Sequence, residues 1–278
     1  WYAVEYGFVF LDQLYHSLLC KTLSMLFRAV QINGTSGYEE AAAQGLVAGV
    51  NAARAALGKG HLCLGRSQAY AGVMIDDLVT KGVDEPYRML TSRAEHRILL
   101  RHDNADLRLT PVGREIGLVN DADWEAFCER RARLERGLAQ ASSTSLGVRE
   151  AGGESFAGGA TIAEALRRPE IVFDDIANRF PDPLPAEIGE RVAIEIKCEG
   201  YVSRQRLAIE KAARTEGVAI PERFDYDSIR ALSLEAREKL AKRRPRTLGA
   251  AGRIPGVTPS DVAILSVFVH RDRSAASC

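Results

Sequence analysis

The run Gln31-Ile-Asn-Gly-Thr-Ser-Gly-Tyr-Glu-Glu-Ala41 constrains the fold of this chain more than any other stretch. A short apolar segment, Met25 to Ile32, leads into it, and an alanine-rich segment, Tyr38 to Leu57, leaves it. The first is short enough for a strand. The second favours a helix, with Glu39 and Glu40 in its first turn to suit the helix dipole. Between them, Asn33-Gly34-Thr35-Ser36-Gly37 combines turn formers with residues that cap a helix start. Strand, glycine-bearing turn and helix in that order are a fragment of an α/β domain. Val4 to Val9 is a further β-rich stretch upstream.

A helix N-terminus carries unpaired N–H groups and the positive end of the dipole, so this turn is suited to an anion or an electron-rich cofactor edge. Gly34 and Gly37 would let the backbone come close to such a ligand. An ordinary capped turn has the same signature. No GxGxxG or P-loop occurs in the chain, so the rest of any nucleotide site lies elsewhere.

Downstream the pattern is helical. Ser67 to Val79 reads as a helix, broken at Asp84-Glu85-Pro86. Thr91 or Ser92 caps a helix expected to run through Arg101. Asp103-Asn104 offers a cap before Leu107 to Leu118, which Pro111 threatens to interrupt. Asp121 and Asp123 introduce a charged helix, Trp124 to about Ala141, with Trp124, Phe127 and Leu134 along one face. Residues 142–160 are rich in Ser and Gly and read as a linker or exposed loop. Thr161 starts a short helix ending at Pro169. Ala186 to Thr215 is the longest helical pattern, and shorter ones follow at Leu234–Ala241, Thr247–Arg253 and Thr258–His270. The expected fold is mainly α: a C-terminal remnant of an α/β domain (1–58), a helical region continuing from it (59–141), the linker (142–160) and a helical domain (161–278).

Composition narrows the function classes. The chain has 278 residues, 46% hydrophobic and 27% charged, which excludes a disordered tail and a disulfide-stapled miniprotein. Its 37 basic residues balance 37 acidic ones, which excludes a uniformly basic nucleic-acid binder but not a local basic patch. Five scattered cysteines without a CxxC pair predict a reducing, cytoplasmic setting. His61 and Cys63 are two ligands and make no zinc site, so no metal is expected. No apolar run approaches the length of a membrane span, and Glu5 and Asp12 argue against a signal peptide. The chain starts with Trp rather than Met, which predicts a piece of a longer protein.

Two basic surfaces stand out. Arg93, Arg97 and Arg101 recur every four residues and would share one helical face. With Arg88 and Arg108 they form a surface suited to bidentate phosphate contacts, or a solvated face paired with Glu95, Asp103 and Asp106. From Arg237 to Arg253 there are seven basic residues, Lys242, Arg243 and Arg244 among them, against one acid. Helix, Pro-Gly-Val-Thr turn and helix follow. Clustered cations favour nucleic acid, and a basic face packed on a partner protein has the same spacing. Asp76 and Asp77 are adjacent on a helix and point apart, which argues against a shared acid/base role.

QINGTSGYEEAAAQG, RSQAYAGVMIDDLVTKGVDEPYRMLTSRAEHR, DNADLRLTPVGREIGLV, EGYVSRQ and RPRTLGAAGRIPGVTP together resemble the C-terminal part of the GidA/MnmG family, the FAD-dependent tRNA uridine 5-carboxymethylaminomethyl modification enzymes. The resemblance covers nearly the whole chain but less than half of a family member. It implies modification of the tRNA wobble uridine with FAD, NADH as reductant, a folate one-carbon donor and the GTPase partner MnmE, in a homodimer. It also implies flavin contacts by Gln31 and the Asn33, Gly34, Thr35 and Gly37 turn. Arg88, Arg93, Arg97 and Arg101 would lie near the tRNA path, and the helical C-terminal domain, with Lys242, Arg243 and Arg244, would serve tRNA and the GTPase. Such a piece is expected to be inactive alone; a non-catalytic RNA- or protein-binding helical module is the other reading. Met25 and Val30 stand where the family usually has glycine, Ser24 where it has Pro, Phe10-Leu11 where Asp-Pro is common, Gly7 where Asp is usual, and His96 and Cys198 replace tyrosines.

Overall fold

The computed structural model describes residues 7, 9–82, 85–146, 149–151, 154–156 and 159–276. Along the chain, α1 spans Tyr38–Ala56, α2 Tyr70–Asp76, α3 Ala105–Glu115 and α4 Asp121–Ser143. Two short strands follow, β1 at Arg149–Ala151 and β2 at Glu154–Phe156. Then come α5 (Ile162–Leu166), α6 (Phe173–Ile176), α7 (Ala186–Glu216), α8 (Leu234–Arg243), α9 (Leu248–Gly252) and α10 (Pro259–Ala276). The described chain is mainly helical, as expected, and its only sheet is the β1–β2 pair. It forms two compact units, one of residues 1–95 and 207–278, the other of 96–206. These limits differ from the divisions at 58, 141 and 160 that composition suggests, and the second falls within α7.

In the first unit, α1 buries Glu40, Gln44, Val47, Ala48 and Asn51, a helical stripe in which three of the five side chains are polar. Each polar member pins a loop. Gln44 Nε2 donates to Thr35 Oγ1 at 2.8 Å and its Oε1 accepts from Asn33 Nδ2 at 2.9 Å. Asn51 donates to the carbonyls of Ser17 and Leu62 and accepts from Leu62 N–H at 2.6 Å. Glu40 accepts from Met89 N–H at 2.9 Å. Around them Leu11, Leu14, Leu18, Met74, Leu78 and Tyr87 form an apolar core. A second core in this unit joins α8, α9 and α10 through Ile229, Leu240, Leu248, Ile254, Leu265 and Val269. Ser233 caps α8, Thr247 caps α9, and Asp261 in the first turn of α10 accepts from both Thr258 and Ser233 N–H, tying two helix starts together.

Three expectations are corrected here. Met25 to Ile32 is not a strand: Met25 (φ +61°) and Val30 (φ +78°) leave the extended region, and Val30–Asn33 is a 3-10 turn. Val4 to Val9 lies largely outside the described residues. The helix from Ser67 starts at Tyr70 and widens into a π turn over Asp77–Lys81. No helix runs from Thr91 to Arg101; a 3-10 turn covers only Thr91–Arg93. Arg66 Nη2 takes the Arg93 carbonyl at 3.1 Å, the group that a helix would give to the N–H four residues on.

In the second unit, α4, α5, α6 and the first turns of α7 enclose Leu134, Ile162, Leu166, Ile171, Ile176 and Val192. Asn120 caps α4 by accepting from Asp123 N–H at 2.9 Å, and Phe127 and Leu134 are buried as the pattern predicts, with Trp124 5.4 Å from the Phe127 ring. Thr161 and Glu164 form a reciprocal cap on α5. Helix α3 continues through Pro111. The segment 142–160, expected as a linker or exposed loop, holds the antiparallel β1–β2 pair, with Glu150 opposite Ser155.

Candidate functional site

The turn at the start of α1 sorts its candidates into two kinds. Asn33 and Thr35 are buried and engaged inward, Asn33 donating to Arg28 O and Gln44, Thr35 donating to Val30 O at 3.2 Å. Gly34 closes the 3-10 turn with φ +82°. Gly37 is the α1 cap, and a Cβ there would lie 1.7 Å from Glu40 Oε2, so the residue must be glycine for the carboxylate to fold over it. Gln31 alone among these side chains faces outward and is exposed. The turn therefore presents Gln31 on a frame that Asn33, Thr35 and Gln44 hold rigid.

This geometry decides what the turn can hold. The Glu40 carboxylate already occupies the positive end of α1, so a phosphate would meet like charge there. Asn33 Oδ1 and Glu40 Oε2 are buried acceptors without a hydrogen-bond partner among the described residues. Both atoms are oxygens, so they suit N–H or O–H donors and not a phosphate.

Arg88 and Arg93 lie in the first unit, Arg97 and Arg101 in the second. Arg88 is exposed, with Nε 3.7 Å from Glu40 Oε1. The Arg93 guanidinium lies 4.5 Å from the centre of the Tyr87 ring and donates to Arg88 O. Arg97 is exposed. Arg101 is mostly buried, bound by Asp103 at 3.0 Å and by Glu195, so its cation is neutralised inside the unit. Lys242 is exposed; Arg243 Nη2 donates to Lys81 O at 3.2 Å and Arg244 Nη1 to Glu222 O at 3.1 Å. The single helical face expected for Arg93, Arg97 and Arg101 does not form.

A buried charge cluster in the first unit is not legible as such in the sequence. Asp76 and Asp77, adjacent and pointing apart, are joined by a third residue. Arg66 Nη1 lies 3.0 Å from Asp76 Oδ2 and 2.7 Å from Asp77 Oδ1, while its Nη2 reaches Glu95 Oε1 at 2.8 Å. His16 and Arg253 also contact Asp76, Lys81 contacts Asp77 at 2.7 Å, and Tyr87 donates to Asp77. Burial by itself would raise the Asp76 carboxyl, but the His16 hydrogen bond and the charges of Arg253, His16 and Arg66 bring it down to about 2. Burial and the neighbouring Asp77 push the Tyr87 hydroxyl well above its usual range. Every acid here is bound by fixed cations, which suits a structural hub and not proton transfer. The available signal was the adjacent acids Asp76 and Asp77 flanked at a distance by Arg66 and Lys81. Among the described residues no group of three His, Cys, Asp or Glu side chains comes together to hold a metal, and no helix is long and apolar enough to cross a membrane.

The described residues define a mainly helical chain of two compact units with exposed cations, and comparison with known proteins specifies its class. Residues 2–60 match the family described as glucose inhibited division protein A, residues 121–206 the tRNA modifying enzyme MnmG/GidA C-terminal helical domain, and residues 208–277 the MnmG/GidA C-terminal helical bundle. The chain is 49% identical over 284 residues to the tRNA uridine 5-carboxymethylaminomethyl modification enzyme MnmG of Listeria welshimeri, covering 99% of the chain and 45% of the relative. It is 50% identical to that of Syntrophotalea carbinolica over 98% of the chain and 45% of the relative. Aquifex aeolicus GidA, in its form II crystal, superimposes with a TM-score of 0.79 at 42% identity, covering 93% of this chain and 42% of that one. The chain belongs to the MnmG/GidA family of tRNA-modifying enzymes, corresponds to its C-terminal portion, and spans less than half the length of these relatives.

Proposed function

We propose that this chain supplies one wall of a flavin site and the tRNA-facing surface of an enzyme that adds a carboxymethylaminomethyl group to the wobble uridine. The observation that carries this reading is the α1 turn: an exposed Gln31 beside two buried orphaned acceptors, within a chain matching the family's C-terminal portion. Gln31 and the orphaned acceptors Asn33 Oδ1 and Glu40 Oε2 would hold the ring edge; Thr35, Gly34 and Gly37 would shape the turn behind them. Flavin, when bound and reduced by NADH, supplies reducing equivalents for building the new group from a folate one-carbon unit. Arg88, Arg93, Arg97, Lys242, Arg243 and Arg244 would contribute positive charge to the tRNA surface, with Arg101 acting inside its own unit. Homodimer formation and docking of the GTPase MnmE belong to the same proposal.

Without a GxGxxG the chain alone is expected to bind FAD weakly and to lack activity. Two measurements test the reading. The purified chain should be colourless but bind tRNA with an affinity that falls steeply with KCl; reversing Arg93 and Arg97 to Glu should flatten that dependence. Salt-independent binding, or none, would defeat the RNA assignment. Stoichiometric bound flavin would defeat the view that the site is incomplete.

A further inference from the structure

In the first unit Arg246 meets Tyr15 and Lys21, more than 200 positions away in sequence, at one aromatic ring. The Arg246 guanidinium carbon lies 4.6 Å from the Tyr15 ring centre, and Lys21 Nζ lies 5.8 Å from the same point. Arg246 and Lys21 are exposed and Tyr15 is half-buried. Arg246 pairs with no carboxylate among the described residues. Lys21 donates to the main-chain carbonyl of Asp12 at 2.6 Å, and the Asp12 carboxylate is the acid whose charge Lys21 feels. Arg243, fixed on Lys81 O, adds a third cation. Partial desolvation of the Lys21 ammonium, although the residue as a whole is exposed, lowers it below its usual value, Asp12 opposes that, and the charges of Arg246 and Arg243 lower it further. Two exposed cations over one ring, with a third close enough to be felt and one acid to offset them, leave positive charge available for an anion.

The stacking also prepares Arg246 for a particular kind of anion. A guanidinium held over an aromatic ring has less freedom to lose on binding, and its N–H fork is suited to a bidentate phosphate contact. Lys21 gives the same anion a compact point charge. The neighbouring tract Lys242-Arg243-Arg244-Pro245-Arg246 carries four cations and no acid, which favours a polyanion over a protein surface of mixed charge.

We propose that Tyr15, Lys21 and Arg246 form a grip for the sugar–phosphate backbone of RNA; the assignment of that RNA as tRNA rests on the function proposed above. The test measures binding of a tRNA transcript to the full chain between 50 and 200 mM KCl for wild type and Lys21→Gln/Arg246→Gln. The double variant should bind about tenfold more weakly, with a salt slope shallower by about 1.5–2. Arg246→Lys, which keeps the charge and loses the stacked plane, should keep most of the slope and lose a few-fold in affinity. A control, Arg133→Gln/Arg136→Gln on α4, removes equal charge and should leave affinity within twofold. Far-UV circular dichroism establishes that each variant is folded, and Arg246→Lys serves if the double variant is not. If wild type binds and the double variant matches it, or the α4 control falls equally, the grip is overturned, the patch is a protein contact, and the tRNA function stands. If wild type shows no salt-dependent binding, both fall together.

Discussion

Arg253 and Asp76, 177 positions apart, are hydrogen-bonded through Arg253 Nη2 and Asp76 Oδ1 at 3.1 Å, with Arg253 Nε 2.9 Å from the other carboxylate oxygen. This ion pair ties the turn after α9 to the end of α2 within one compact unit. Because Asp76 has a lowered carboxyl at about 2, against about 3.9 in an unfolded chain, the unfolded state takes up the proton first as pH falls. The stabilisation is complete above about pH 5 and is lost as pH falls towards 2, amounting to about 2 kcal/mol. Urea titrations between pH 6 and 2.5 should show that loss in the wild type and a shallower one in Asp76→Asn. Parallel profiles would refute the assignment.

Arg66 has more partners than a lysine could serve. It donates to Glu95, Asp76, Asp77 and the carbonyls of Val73 and Arg93 from three nitrogens. Arg66→Met should lower stability by about 1–3 kcal/mol, because it removes one cation from each of two buried carboxylates, which keep His16 and Arg253 on Asp76 and Lys81 on Asp77. Arg66→Lys should recover little of this, since one ammonium cannot reproduce the fork. Chemical denaturation of the pair decides it: substantial rescue by Lys would mean that charge alone matters.

Val30 carries a β-branched side chain at φ +78°, in the left-handed region that favours glycine. Thr35 holds its carbonyl there. Val30→Gly should raise stability by about 1 kcal/mol, the relief of strain exceeding the added freedom of the unfolded chain. Val30→Ala should not. A lower melting temperature for Val30→Gly would show that the apolar side chain outweighs the strain.

Gly189 on α7 lies against Phe173, whose ring carbon Cζ would be 2.0 Å from a Cβ at that position. Gly189→Ala should therefore cost about 1–3 kcal/mol by overpacking, despite the better helix propensity of alanine. Combining it with Phe173→Leu should give a smaller loss than the two single changes summed, which a double-mutant cycle reads directly.

Much of the helical architecture was readable from spacing and caps. The patterns at Ala186 to Thr215 and Leu234 to Ala241 anticipated α7 and α8, and Thr247 and Thr258 stand at the starts of α9 and α10. The failures share a cause, which is that distant side chains overrule local preference. Arg93, Arg97 and Arg101 have helical spacing, but Arg66 takes the Arg93 carbonyl and Glu195 takes Arg101. Met25 to Ile32 has strand composition, but two residues with positive φ bend it. At the turn, sequence identified Gln31 to Gly37 without separating the outward residue from the inward ones. That distinction depends on Gln44, which reads from the sequence as one more polar residue in an alanine-rich helix.

The polar stripe of α1 has a consequence for binding as well as for folding. Rotating or sliding α1 by one residue would break the bonds of Glu40, Gln44 and Asn51 together, so the helix has a single seating. The loop ends at Ser17, Thr35, Leu62 and Met89 inherit that seating. A ligand arriving at the turn thus meets a surface whose disorder was removed when the chain folded, and little of its binding free energy is consumed in ordering protein. The same locking means that sequence changes on the inner face of α1, remote from any ligand, should be felt at the turn.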